Sequence, residues 1–165
     1  MRTRAFPCRQ YGPLACALAA CASRALAQEA TAPAAAAGVN LAVVATASSS
    51  FTSGDTTVAA LNDDFTPRSS GDARHGAYGN WPRTGTQWVQ YDWGQPISTR
   101  QVEVYCWDDR QGVRLPKACR LKFWDGRAFV AVANASGLGV AGGQFNSTTF
   151  DEVATSKLRL EMDAE

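Results

Sequence analysis

Gln87–Trp107, QWVQYDWGQPISTRQVEVYCW, limits the chain to an architecture built on strands. Successive strand side chains point to opposite faces, so Trp88, Gln90 and Asp92 share one side and Val89, Tyr91 and Trp93 the other. Gly94 and Pro96 punctuate the run and predict a chain reversal, making two strands of this stretch. Beyond it the alternation resumes, with Val102, Val104 and Cys106 opposite Glu103, Tyr105 and Trp107. The expected domain is β-rich, with aromatic residues at its loop ends.

The first 38 residues do not belong to that domain. Arg2, Arg4 and Arg9 precede a short apolar run, Pro13–Ala22, and Ala25-Leu26-Ala27 forms a small-x-small cleavage site. This is the pattern of a secretory signal over residues 1–27, too short to span a bilayer. A second reading is a lipoprotein signal over 1–20, with Leu18-Ala19-Ala20-Cys21 as the lipobox and Cys21 acylated. Either route implies export, to the periplasm or beyond the cell, with membrane association only if the lipid anchor is added. Residues 28–38 are rich in Ala and Pro without apolar periodicity and read as a linker. The globular part is 39–165.

Removing the signal takes four of the 16 basic residues, leaving 12 against 15 acidic ones, a balance near −3. Neither that sign nor any basic cluster suits phosphate, which argues against a nucleic-acid partner. Of the five cysteines, Cys106 and Cys119 remain in the mature part. A hairpin folded about the Asp108–Pro116 loop would set them nearly opposite each other. They read either as a cross-strand disulfide in an oxidising compartment or as two buried thiols.

Along the chain, Asn40–Ser50 is an extended run and Val58–Leu61 a short apolar stretch. A turn-rich segment runs from Asn62 to Gly71, and residues 71–85 form a long loop carrying His75, Tyr78, Trp81 and Arg83. After the central strands comes a loop with Asp108, Asp109, Arg110 and Arg114. Asp125-Gly126 signals a tight hairpin between strands at 118–124 and 128–134. Ser136–Gly143 is a glycine-rich loop, followed by strands at 147–150 and 156–162. Short strands, spaced turn signals and no convincing helix predict an all-β antiparallel sandwich or jelly roll.

No catalytic constellation assembles from these residues. A single histidine excludes a clustered His metal site. The adjacent Asp108 and Asp109 point apart, unlike paired carboxyls flanking a glycosidic bond. Gly137–Gly142 satisfies GxGxxG, but the β-like stretch after it offers no helix N-terminus for a pyrophosphate. The loops do carry what a sugar requires: rings for the apolar C–H face of a pyranose and polar groups for its hydroxyls. Tyr78 and Trp81 are the platforms, His75 and Arg83 the hydrogen-bonding groups, and Trp107 and Arg114 lie in the next loop. Trp81 reads equally as a plug that stiffens its loop, and Arg114 as a partner for Asp108 or Asp109.

Four stretches in order, Asn40-Leu41-Ala42, Ala60-Leu61-Asn62-Asp63, Gln87–Gly94 and Leu158-Arg159-Leu160-Glu161, resemble the coagulation factor V/VIII type C, or discoidin, domain in its bacterial carbohydrate-binding form. The resemblance covers 39–163. It implies an eight-stranded antiparallel jelly-roll of galactose-binding-domain type, with a glycan or polysaccharide held by loops at one end. It further implies a non-catalytic module, often an accessory to bacterial glycoside hydrolases. His75 and Arg114 match a loop His and Arg that contact sugar in such relatives. The family turn Asp-Gly-x-x-x-Thr-x-Trp is altered here, with Asp63 kept but Asp64, Arg68 and Ser70 in place of Gly, Thr and Trp. Relatives frequently hold a structural Ca²⁺ at that turn, and the resemblance implies Asp63 and Glu161 as carboxylate ligands. It also implies one closing strand beyond Glu161, so the chain either lacks it or is a piece of a longer enzyme. Oligomeric state is not legible. The alternatives to a glycan module are an adhesion domain and a truncated hydrolase accessory module.

Overall fold

The computed structural model describes residues 38–165 apart from 109 and 111, so the signal, Cys21, Asp109 and nearly all of the linker lie outside the described residues. Five antiparallel strands form one continuous hydrogen-bonded sheet: β1 (Thr46–Ser49), β2 (Gly85–Cys106), β3 (Cys119–Trp124), β4 (Phe129–Ala131) and β5 (Gln144–Ala164). Their order is β1-β2-β5-β3-β4.

The Gly94–Pro96 stretch does not reverse the chain. β2 is a single strand of 22 residues, and the two strands expected near the C-terminus are likewise one, β5, of 21 residues. β2 and β5 pair along both halves, but the ladder is broken twice. Between Asp92↔Lys157 and Ile97↔Thr155 the surplus residues are on β2; between Thr99↔Val153 and Gln101↔Thr149 they are on β5. Such bulges bend strands and let one strand serve two layers. Gly and Pro therefore do their work as a bulge, because a partner strand holds both sides of the break.

One layer contains β1, the first half of β2, the second half of β5, β3 and β4. The other contains the second half of β2 and the first half of β5, bordered by residues 133–136 through Ser136 N–H to Thr149 C=O (2.8 Å) and Asp151 N–H to Ala133 C=O (3.0 Å). Side chains of both halves meet in one core. Val89, Tyr91, Trp93, Leu121, Leu158 and Leu160 come from the first layer, and Val102, Phe150 and Val153 from the second. The all-β antiparallel sandwich is the fold of this chain. The alternation read in Val89, Tyr91 and Trp93 is the inward face.

Two polar handles on that face fix what precedes β2. Leu41–Val44 and Val58–Leu61, expected as extended or simply apolar, are 3₁₀ turns. Trp93 Nε1 donates to the Leu41 carbonyl (2.8 Å), and the Tyr91 hydroxyl donates to the Leu61 carbonyl (2.7 Å). Asn62 Nδ2 ties the turns together through the carbonyls of Ala42 (3.1 Å) and Ala45 (2.8 Å). Buried tyrosine and tryptophan need a partner for the polar atom, and the carbonyls of short helical turns provide one. The β3–β4 hairpin forms as the Asp125-Gly126 pair predicts: Gly126 has φ +102°, and Asp125 Oδ1 accepts from the N–H groups of Arg127 and Ala128.

The cysteine geometry differs from expectation. β3 pairs with β4 and β5, never with β2, so no hairpin sets Cys106 against Cys119. Both are free, half-buried thiols. Burial pushes the Cys106 thiol up, and burial together with neighbouring Cys106 pushes Cys119 up to about 11. They act as small apolar residues.

Candidate functional site

The site is built at one end of the sandwich, where residues 76–84 are fastened to residues 51–57. Ser53 N–H donates to Gly79 C=O (2.9 Å) and Thr57 N–H to Ala77 C=O (3.0 Å). The Gly79 N–H returns a bond to Thr56 Oγ1 (3.2 Å), Ser53 Oγ donates to the Trp81 carbonyl (2.8 Å), and the Tyr78 hydroxyl to the Phe51 carbonyl (2.9 Å). The contact is too close for larger residues at two points. A Cβ on Gly76 would lie 2.8 Å from Thr57 Cγ2, and one on Gly79 would lie 3.2 Å from Thr56 Cγ2. Beyond these anchors Arg83 N–H closes a turn on Asn80 C=O (2.8 Å) and raises Trp81 into solvent, where it is 80% exposed. Trp81 is therefore not a plug.

A cleft of about 1040 Å³ opens between these loops, the 112–116 segment and Leu138-Gly139, and runs down to core residues such as Val89, Val102 and Leu158. His75, Tyr78, Trp81, Arg83, Trp107 and Arg114 all line it. They do not play equal parts. Tyr78 is half-buried against the core and held by its hydroxyl, so it is wall rather than platform. Trp107 is half-buried, whereas Arg114 and its neighbour Val113 are exposed.

His75 is held in a fixed orientation. Its ring stacks on Phe65 at 4.0 Å and 5°, and Nδ1 lies 3.2 Å from Asp63 Oδ2. The Arg74 guanidinium lies over the same Phe65 ring, 4.9 Å from its centroid. Arg74 also grips Asp72 with both Nε (2.7 Å) and Nη2 (2.6 Å), and Arg68 adds its backbone N–H (3.1 Å). Those bonds, Arg74's foremost, hold the Asp72 carboxyl far below the usual carboxylate range. Arg68, one of the three departures from the discoidin-type turn, thus serves Asp72. Arg83 lies over the Phe51 ring at 4.8 Å. Phe51, Phe65 and Asp72 escaped the sequence reading. The signal that would have found the first two is an aromatic residue isolated in a polar, turn-rich stretch.

The two carboxylates expected to hold Ca²⁺ have other partners. Glu161 projects from β5 toward Lys122 (2.9 Å) and Arg120 (3.6 Å), while Asp63 serves Phe65 N–H (2.9 Å) and His75. Among the described residues no three His, Cys, Asp or Glu side chains form a cluster. The glycine-rich loop is likewise structural. Asn146 Oδ1 accepts from Ala141 N–H (2.9 Å) while its Nδ2 donates to the carbonyls of Ala141 (2.9 Å) and Gln144 (3.2 Å). A Cβ on Gly139 would sit 2.6 Å from Asn146 Oδ1, and one on Gly142 the same distance from Asp108 Cβ. Asp108 itself accepts the Arg110 N–H at Oδ1 (2.8 Å), and no ion pair joins it to Arg114 among the described residues.

No family model matches the chain and no curated protein is significantly similar to it. Solved structures are. A structure of the Streptococcus pneumoniae β-galactosidase BgaA superposes with a TM-score of 0.65 at 18% identity, over 78% of this chain and 87% of that one. Chitosan-binding module 1 of a Paenibacillus sp. IK-5 chitosanase/glucanase superposes at 0.52 and 15% identity, over 77% and 88%. A putative α-L-fucosidase from Bacteroides thetaiotaomicron superposes at 0.59 and 9% identity, over 76% of this chain and only 25% of that one. At these identities the likeness establishes a shared fold: this β-sandwich is similar to one that occurs in a sugar-binding module and in polypeptides of glycosidases.

Proposed function

We propose that the chain is a non-catalytic carbohydrate-binding module of discoidin type, exported by way of residues 1–27 and serving as an accessory to a surface or a glycoside hydrolase. The observation that carries this reading is the convergence of Trp81, His75, Arg83, Trp107 and Arg114 on one cleft, with Trp81 standing 80% exposed on a pinned loop. An indole held out in this way presents a rigid apolar face at low ordering cost, which is what the C–H face of a pyranose packs against. The His75 imidazole and the two guanidiniums supply directional partners for hydroxyls. Binding rather than catalysis is the reading favoured by two of the four cleft carboxylates: Asp63 faces His75 and Asp72 is enclosed by Arg68 and Arg74. Neither is poised as a general acid. The alignment with a quarter of a fucosidase chain is compatible with the accessory role.

A single indole face and a few hydrogen bonds imply a Kd on the order of micromolar to millimolar. Trp81→Ala is expected to lower retention on a glycan array at least about tenfold, the loss of roughly 1.4 kcal/mol of contact. Because the side chain is exposed, the midpoint of urea unfolding should not move. Unchanged retention by the variant would refute the site. A second reading, an adhesion surface for a protein, is favoured by exposed Val113 beside the same cleft; it predicts an array with no sugar response at all.

A further inference from the structure

The charges around the cleft are unevenly paired, and two guanidiniums are left without a carboxylate among the described residues. Four described carboxylate side chains line it: Asp55, Asp63, Asp72 and Glu165. Asp72 is bound by Arg74 and Arg68, Asp63 by His75, and Glu165 by Lys117. Only Asp55 has no ion pair among the described residues. Against it stand two guanidiniums on the same cleft, Arg83 and Arg114, both exposed and neither in an ion pair among the described residues. Arg83 is also pre-positioned, because its guanidinium lies over the Phe51 ring and its backbone closes the turn that presents Trp81.

From this we infer that the cleft selects acidic glycans, sugars carrying a carboxylate or sulfate ester, over neutral and cationic ones. The guanidinium fork matches two oxygens of either anion, and a partly desolvated site strengthens such a bond. The same two guanidiniums oppose the ammonium groups of a glucosamine polymer, so the preference differs from that named for the chitosan-binding structure of like fold. The inference rests on the glycan-binding reading and adds the chemical class of ligand to it.

The test uses matched probes that differ only in charge. These are an oligogalacturonate and its fully methyl-esterified form, a sulfated N-acetylglucosamine oligomer and its desulfated form, and a glucosamine oligomer. Titrations at low and at raised NaCl should show at least one acid bound about tenfold more tightly than its neutral twin, with the ratio shrinking as salt screens the pair. The glucosamine oligomer should bind most weakly. Arg83→Gln with Arg114→Gln should remove the ratio by weakening the acidic probe much more than its neutral twin, whereas Trp81→Ala should weaken acid and neutral forms alike. Equal binding of both matched pairs, a preference for glucosamine, or a charge preference surviving the double arginine variant would overturn acidic selectivity and leave a glycan module standing. Failure of every probe, and of a wider array, would overturn both readings.

Discussion

Single side chains in this protein carry more than their own burial. Arg159 on β5 illustrates it, with its guanidinium between two rings, 3.9 Å from the Phe129 centroid and 4.5 Å from that of Trp88. Its Nη2 and Nε also donate to Gln90 Oε1 at 2.6 and 3.0 Å, and Gln90 is only 8% exposed. Arg159→Ala would remove two cation–π contacts and leave a buried amide oxygen without its donors. The expected cost is about 2–3 kcal/mol in urea unfolding, with Arg159→Lys losing less because charge and stem remain. A midpoint unchanged in the alanine variant would show that water replaces the guanidinium freely. Trp88, Gln90 and Asp92 were correctly placed on one face by alternation. That the face is roofed by Arg159 was invisible, because its partner rings arrive from β2 and β4.

Among the elements, the glycine-rich loop shows how one residue can close a segment that lacks secondary structure of its own. Asn146 reads as the start of a strand, yet its amide bonds Ala141 from both sides and holds residues 137–143 over the end of β2. Asn146→Ala should cost about 0.5–1.5 kcal/mol, the loss of a set of mostly exposed hydrogen bonds. It should also expose the loop to limited proteolysis between 137 and 143. A loop as resistant as wild type would mean the glycines themselves set its path. The β3–β4 hairpin was legible because Asp-Gly carries its own turn chemistry. The continuity of β2 and β5 was not: whether Gly94 and Pro96 end a strand or bulge it depends on whether a partner continues past them, and that partner lies some sixty residues away.

For the molecule as a whole, acid is the condition that should expose its electrostatics. Asp72 is lowered chiefly by Arg74, Asp163 by Arg120, and Asp125 by the hairpin N–H groups of Ala128 and Arg127. A carboxyl whose folded pKa lies below the unfolded value of about 3.9 adds stability above that value and loses it as pH falls through the folded pKa. Tm should therefore be nearly flat from pH 8 to 5 and fall below about pH 4, and Asp72→Asn should shallow that fall. A Tm that already drops between pH 7 and 5 would contradict the assignment of the acid sensitivity to these carboxyls. What the residues alone determined is the β class, the inward set Val89, Tyr91 and Trp93, and the positions of the long loops, since alternation and turn chemistry are local properties. The tertiary structure decided the rest. It showed that β3 joins β5 rather than β2, that Glu161 faces Lys122 and Arg120 while Asp63 faces His75, and that Arg83 and Arg114 line one cleft without carboxylate partners among the described residues. Such facts depend on which distant strands pair and which charges they carry to each other, and no sequence window contains both partners.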